Sequence, residues 1–154
     1  MAETVNYDSR AVALAAAKAA DSKKATDILV QDLRGLSSVT DYFVIVTAAN
    51  NRQVDAIIDE IRKDIREASG LSPLSTEGMG QGTWALLDYG GVVVHVFQPE
   101  ARSYYRLEEL WNDAPVVDLK EAGITDAEYS DRIADLMNKA AEATENAPEE
   151  SEEA

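Results

Sequence analysis

The segment from Thr83 to Gln98 reads T-W-A-L-L-D-Y-G-G-V-V-V-H-V-F-Q, and it constrains the fold more than any other part of the chain. Two runs rich in β-branched, aliphatic and aromatic residues flank Gly90 and Gly91. A two-residue turn between strands needs residues that accept positive φ, so the glycine pair predicts a β-hairpin. With the turn at these glycines, Tyr89 lies opposite Val92 and Trp84 lies opposite Phe97.

This register gives the hairpin two different faces, because side chains alternate across a strand. One face is almost wholly apolar and predicts core; it carries Ala85, Leu87, Tyr89, Val92, Val94 and Val96. The other combines aromatics with an acid and the only histidine; it carries Trp84, Leu86, Asp88, Val93, His95 and Phe97. We predict that the second face binds a partner. A core position for Trp84 is the alternative, since most tryptophans of small domains are buried.

The rest of the pattern alternates helices with strands and predicts an α/β domain with a single mixed β-sheet and flanking helices. Helices are predicted over Ser9–Ala20, from Asn50-Asn51 to Gly70, over Pro99–Trp111, and from Thr125, where T-D-A-E resembles a capping box. Strands are predicted at Ile28–Leu33, at Tyr42–Thr47 and, on an edge, at Leu71–Thr76. The continuous apolar run Tyr42–Thr47 predicts a central strand buried on both faces.

Composition narrows the classes of partner. The chain has no cysteine, which excludes a disulfide framework and a cysteine-based zinc site. It has no apolar run of about 20 residues and no secretory signal, so we expect a soluble, cytoplasmic protein without membrane contact. The formal net charge of −15 repels nucleic acid and favours a basic protein as partner, so no direct nucleic-acid binding is expected.

Catalytic chemistry has few candidates. His95 and Asp88 point to the same side of the hairpin but lie diagonally, and no Gly-x-Ser-x-Gly elbow supplies a nucleophile. A histidine satisfied by a hydrogen bond on the sheet face is the favoured interpretation. The glycines of Gly78–Gly82 precede a strand rather than a helix and lack the Lys-Ser/Thr of a phosphate-binding loop. The sequence therefore predicts no active site, metal site or cofactor.

Five ordered motifs together resemble the ribosomal silencing factor family (RsfS, or Iojap-like). They are D-Y-F-V-I-V-T at Asp41–Thr47, N-R-Q-V at Asn51–Val54, E-G at Glu77-Gly78, the hairpin at Trp84–Phe97, and R-x-Y-Y-x-L-E-x-L-W at Arg102–Trp111. The resemblance assigns residues 1–119 to the family domain. Residues 120–139 are then a helical extension. Residues 140–154, with six glutamates and no base, are predicted to be a disordered acidic tail.

The resemblance implies a non-enzymatic translational repressor. Such a protein binds the large ribosomal subunit through ribosomal protein L-fourteen and blocks joining of the small subunit. The implied fold is nucleotidyltransferase-like but lacks the Gly-Ser and paired Asp-x-Asp of that catalytic motif. The family's contact region falls on the hairpin, which implies Trp84, Asp88, Tyr89 and His95 as partner-binding residues, and Leu86 and Phe97 share the second face.

Two other functions stay open at this point. A divergent nucleotidyltransferase-like enzyme would need a metal-binding acidic pair on adjacent strands, for which Asp41 and Asp88 are the candidates. An acidic adaptor would bind through the tail instead. Oligomeric state, a homodimer included, is also left open.

Overall fold

A five-stranded sheet forms the centre of the computed structural model, which describes residues 8–78 and 82–145. Its strands are β1 (Thr26–Asp32), β2 (Tyr42–Thr47), β3 (Ser75–Glu77), β4 (Trp84–Asp88) and β5 (Val92–Phe97). They lie in the order β1-β2-β5-β4-β3, and the β2–β5 pair is parallel while the other pairs are antiparallel. The predicted α/β class with a single mixed sheet is thereby confirmed.

The hairpin has the predicted register. Trp84 pairs with Phe97 and Leu86 with His95, and the Tyr89 N–H donates to the Val92 carbonyl at 2.9 Å. Gly90 at the turn has φ of +87°, a value that glycine adopts without steric cost. All six residues of the predicted core face are buried.

Four α-helices accompany the sheet in the described ranges: α1 (Ser9–Ser22), α2 (Asn51–Ser69), α3 (Pro99–Tyr105) and α4 (Asp131–Glu145). Short 3-10 helices span Leu107–Trp111 and Leu119–Ala122. The helices α1 and α2 pack on the core face of the sheet. As predicted, α2 starts after Asn50, whose side chain caps the Gln53 N–H, and stops at the left-handed Gly70. None of the helices in these ranges has the length and apolarity that a membrane crossing requires.

The single helix predicted over Pro99–Trp111 is wrong. The α-helix ends at Tyr105, Arg106 takes a left-handed conformation with φ of +48°, and a 3-10 helix follows. The break has a tertiary cause. Residues six apart on a continuous α-helix point to different sides, whereas here Arg102 and Glu108 meet in a buried ion pair.

The helix predicted from Thr125 is also wrong, because it begins at Asp131. The preceding segment bonds to β1 instead of capping a helix. The Asp27 N–H donates to the Glu128 carbonyl at 3.2 Å, the Tyr129 hydroxyl donates to the Ile28 carbonyl at 2.7 Å, and the Asp27 carboxylate accepts from the Ser130 N–H at 2.7 Å.

Helix α4 also crosses the boundary predicted at residue 140. It continues through Glu145, and Ala140 is 2% exposed, so the structure describes residues 140–145 as part of α4. Residues 146–154 of the predicted tail and residues 79–81 of the glycine segment lie outside the described residues. The edge strand predicted at Leu71–Thr76 is shorter and later, at Ser75–Glu77.

Candidate functional site

The sheet face opposite α1 and α2 is covered at one end and open at the other. On β1, the Gln31 side chain is fully buried and donates to the carbonyls of Glu108 and Trp111 at 3.0 and 3.2 Å. The 107–111 helix therefore covers the β1 end of this face. At the other end, Trp84, Leu86 and Asp88 of β4 are all partly exposed. The open end is where a partner can contact the sheet.

His95 and Trp84 are joined by a hydrogen bond across the hairpin. The Trp84 Nε1–H donates to His95 Nδ1 at 3.1 Å, which requires Nδ1 to be unprotonated. Burial, together with the positive charge of Arg102, lowers the pKa of His95 to about 3, so the imidazole is neutral at physiological pH. His95 Nε2 has no hydrogen-bond partner among the described residues. The interpretation of His95 as a satisfied sheet-face histidine is confirmed for Nδ1.

Aromatic rings continue this arrangement to the surface. Trp84 stacks on the fully buried Phe97, with 4.8 Å between the ring centroids. Trp84 also contacts Tyr105, again with 4.8 Å between the ring centroids. Tyr104 meets Tyr105 edge-on at 5.0 Å. Tyr104 is 80% exposed and Tyr105 is 53% exposed. These two tyrosines extend the open face beyond the hairpin.

We call the accessible residues at this end the aromatic surface. It comprises Phe43, Trp84, Leu86, Tyr104 and Tyr105. Phe43 belongs to this surface because its ring contacts His95 edge-on, with 4.8 Å between the ring centroids. Asp88 adds an acid at the rim, but its carboxylate is partly engaged because Oδ1 accepts from the Gly90 N–H at 2.8 Å. The aromatic surface is thus apolar at its centre and acidic at one edge.

A buried ion pair between Arg102 and Glu108 holds the segment that carries Tyr104 and Tyr105 against the sheet. Arg102 is 2% exposed, and its Nε donates to Glu108, which is fully buried, at 2.9 Å. Its Nη1 also donates to the Thr47 hydroxyl at 2.8 Å and to the Asp27 carbonyl at 2.9 Å. The motif R-x-Y-Y-x-L-E therefore combines inward charged residues, which hold the backbone to β1 and β2, with outward tyrosines.

The residues predicted to bind a partner separate into two groups by burial. Trp84, Leu86 and Asp88 are partly exposed on the open face. His95 and Phe97 are on the same face but beneath Trp84, at 4% and 0% exposure. Tyr89 is 4% exposed on the core side, where burial raises the pKa of its hydroxyl to about 12.

Phe43, Tyr104 and Tyr105 of the aromatic surface are not among the residues that the hairpin pattern predicts to bind a partner. A signal was present in the R-x-Y-Y motif. Two consecutive tyrosines on a helix point about 100° apart, so both are seldom buried in a short helix. Phe43 alternates with the buried Tyr42 and Val44, so its side chain lies on the opposite face of the sheet. The pairing of β2 with β5 is what places that side chain beside the hairpin, and the sequence does not show this pairing.

Among the described residues, Asp41, Asp88 and His95 do not form the arrangements that the two catalytic alternatives require. Asp88 bonds to the turn rather than to His95. Asp41 precedes β2 and Asp88 ends β4, and β5 lies between these strands, so the two acids are not on adjacent strands as a metal pair would need. Across residues 8–78 and 82–145, no group of three or more His, Asp or Glu side chains is placed to hold a metal ion.

Comparison with known proteins gives one consistent result. The family described as "Ribosomal silencing factor during starvation" matches residues 6–152. The ribosomal silencing factor RsfS of Bacillus subtilis is 49% identical over 104 residues, which cover 68% of this chain and 87% of the relative. That of Halalkalibacterium halodurans is 41% identical over 105 residues, covering 68% and 89%.

Solved structures agree in fold. A crystal structure from Chromobacterium violaceum superposes with a TM-score of 0.66 at 30% identity, covering 80% of this chain and 93% of the other. A crystal structure from Bacillus halodurans gives a TM-score of 0.62 at 38% identity, covering 71% and 98%. The family match includes all of α4 and continues beyond it, whereas the curated relatives align with about two thirds of the chain.

Proposed function

Because the chain belongs to the ribosomal silencing factor family, we propose that it is a translational repressor that binds the large ribosomal subunit through ribosomal protein L-fourteen and blocks joining of the small subunit. The observation that carries the proposed binding mode is the aromatic surface. Its outermost residue, Tyr104, leaves 80% of its area in solvent. Tyr104 is continuous with Tyr105 and Trp84, and a contiguous exposed apolar patch marks an interaction site where a single exposed residue does not.

The composition of this surface fits a protein partner. Tryptophan and tyrosine are the residues most enriched among those that dominate binding energy at protein interfaces, because a rigid ring buries much area at low entropic cost. In the proposed complex Trp84, Leu86, Tyr104 and Tyr105 contact the partner, with Asp88 at the rim. His95 and Phe97 support Trp84 from beneath, and Tyr89 belongs to the core.

Charge supports a basic partner. The chain carries a formal net charge of −15, and many ribosomal proteins are basic. Complementary charge speeds diffusional encounter, whereas desolvated aromatic contacts govern how long a complex lasts. The proposal keeps the expectation that the chain contacts protein rather than rRNA, since phosphates would be repelled by most of its surface. A cytoplasmic location accords with assembled ribosomes as the target.

Sedimentation with purified subunits tests the proposal. The full chain should co-sediment with large subunits and not with small ones, and its addition should reduce joining of the two. Tyr104→Ala should weaken large-subunit binding by about tenfold or more, because loss of an interface anchor typically costs about 1.4 kcal/mol or more.

Lys63→Ala provides the control. Lys63 lies on α2, on the other side of the sheet, and its side chain is 60% exposed, so this change should leave binding within twofold. Binding to small subunits alone, or equal losses in both variants, would overturn the proposed surface.

A further inference from the structure

Arg132 of α4 reaches the ion pair that anchors the tyrosine segment. Its Nη1 lies 2.5 Å from Glu108 Oε2 and 2.8 Å from Glu109 Oε2, and its Nη2 donates to the Arg102 carbonyl at 3.4 Å. One guanidinium therefore contacts residues on both sides of the left-handed turn at Arg106. This side chain therefore connects α4 to the end of α3 and to the 3-10 helix that follows it.

The contact matters because Glu108 is fully buried. Its two carboxylate oxygens are shared between two arginines, with Oε1 facing Arg102 and Oε2 facing Arg132. A buried carboxylate with one partner removed retains an uncompensated part of its charge, which is strongly unfavourable. Of the two arginines, only Arg132 comes from outside the 99–111 segment.

The segment from Arg102 to Glu108, which carries the two tyrosines, has little stability of its own. Helix α3 has seven residues, fewer than an isolated helix needs in water, and it is followed at once by the left-handed Arg106. Tyr104 and Tyr105 lie between Arg102 and Glu108 in sequence, and Tyr105 contacts Trp84. Loosening the Arg102–Glu108 pair would therefore move the exposed tyrosines relative to the hairpin.

We propose that Arg132 is a positioning residue through which α4 fixes Tyr104 and Tyr105 in the aromatic surface. The C-terminal extension thereby contributes to partner binding without contacting the partner. This inference deepens the proposed function and, for its effect on affinity, rests on it. Its structural half concerns the order of residues 102–111 and is independent of any partner.

Three variants test the proposal. Arg132→Gln removes the charge at similar length, and Arg132→Lys restores a charge that can reach a single carboxylate oxygen. Lys139→Gln is the matched control on the same helix, because Lys139 pairs with the exposed Asp135 at 3.9 Å and not with Glu108. Each variant is made in the full chain and measured by amide hydrogen exchange and by binding to large subunits.

Hydrogen exchange gives a readout that needs no partner. In Arg132→Gln the amides of Arg106 and Glu109 should exchange at least tenfold faster, while those of β2 keep their rates. Affinity for large subunits should fall at least fivefold, Arg132→Lys should recover part of both effects, and Lys139→Gln should change neither. Faster exchange together with no binding by the unsubstituted chain would uphold the positioning role and reject the proposed function.

Two results would overturn the inference. Unchanged exchange at Arg106 and Glu109 in Arg132→Gln would show that α4 does not order the segment. An equal rise in exchange across β2 and the 102–111 segment, with binding lost only as the chain unfolds, would show that Arg132 serves global stability alone.

Discussion

At the scale of single residues, the aromatic surface depends on a buried histidine. His95 is buried under Phe43 and Trp84, and its Nδ1 accepts the Trp84 indole N–H. Such a bond fixes the plane of the indole ring, so Trp84 is held in place before any partner arrives. The hairpin pattern predicts His95 as a partner-binding residue, whereas the structure places it beneath Trp84, with 4% of its area exposed.

His95 should make stability depend on pH. Its pKa is about 3 in the folded chain and about 6.5 when unfolded, so the unfolded state binds the extra proton between these values. Stability is therefore complete above pH 6.5 and falls by about 1.4 kcal/mol per pH unit below it, or about 2 kcal/mol by pH 5. Urea titrations at pH 7.5 and 5 should show this excess loss relative to His95→Asn. Parallel losses in the two proteins would contradict the assignment.

Trp84 should prove to be both an interface residue and a support for its neighbours. Trp84→Ala uncovers Phe97 and leaves His95 Nδ1 without its donor, so we expect unfolding to become easier by about 1–3 kcal/mol. Affinity for large subunits should fall about thirtyfold or more in addition, equivalent to about 2 kcal/mol. Binding is measured well below the melting temperature. A loss no larger than the unfolded fraction would place Trp84 in the core alone.

At the scale of elements, local sequence signals predicted turns and helix caps correctly. They did not predict helix limits that depend on contacts with residues distant in sequence. The glycine pair set the hairpin register, and Asn50 with Gly70 set the limits of α2, because turns and caps act within a few residues. The break at Arg106 accompanies the buried Arg102–Glu108 pair, in which Arg102 also bonds to Asp27 and Thr47 of the sheet. The late start of α4 follows from bonds between β1 and residues 128–130. The motif R-x-Y-Y-x-L-E signals that a tyrosine is exposed, but the partners of Arg102 on β1 and β2 are distant in sequence, so the motif alone does not place the tyrosines beside the hairpin.

Gly70 offers a clean test of one such local signal. Its φ is +77° and a Cβ there would have no atom within 4 Å, so substitution changes backbone energy and little else. Gly70→Ala should lower the free energy of unfolding by about 1 kcal/mol. Gly70→Asn should lower it less, because asparagine tolerates the left-handed region better. Chemical denaturation measures both, and equal stabilities in all three proteins would show that the helix end relaxes.

At the scale of the whole molecule, charge and shape act at different stages of binding. The aromatic surface is small and local, whereas the net charge of −15 acts over the entire chain. Salt screens exposed charges beyond about 8 Å at physiological strength, so it should affect encounter more than the bound complex.

The rate of association with large subunits should therefore fall by tenfold or more between about 50 mM and 500 mM salt, with a smaller change in dissociation. Rapid-mixing kinetics measures both rates. A salt effect confined to dissociation would indicate that charged contacts within the interface matter more than the overall field.

Removal of residues 146–154 should have little effect on affinity. The cut follows Glu145 so that α4 and Arg132 remain, and it deletes only four of the acidic residues, Glu149, Glu150, Glu152 and Glu153. We expect a change below threefold, within about 0.65 kcal/mol. Titration of large subunits with both lengths measures it. A tenfold loss at physiological salt would favour the acidic adaptor, in which the C-terminus itself binds.

The position of β5 in the sheet also bears on how the chain emerges during its own synthesis. The apolar β2 needs β5 as its parallel neighbour, yet β5 is made roughly 50 residues later, an interval of about 3–10 s at about 5–20 residues per second. Until then β2 can pair only with β1, and its other edge can recruit strands from other nascent chains. Tyr42–Thr47 is therefore the segment where a chaperone that holds extended apolar peptides would protect an unfinished chain best.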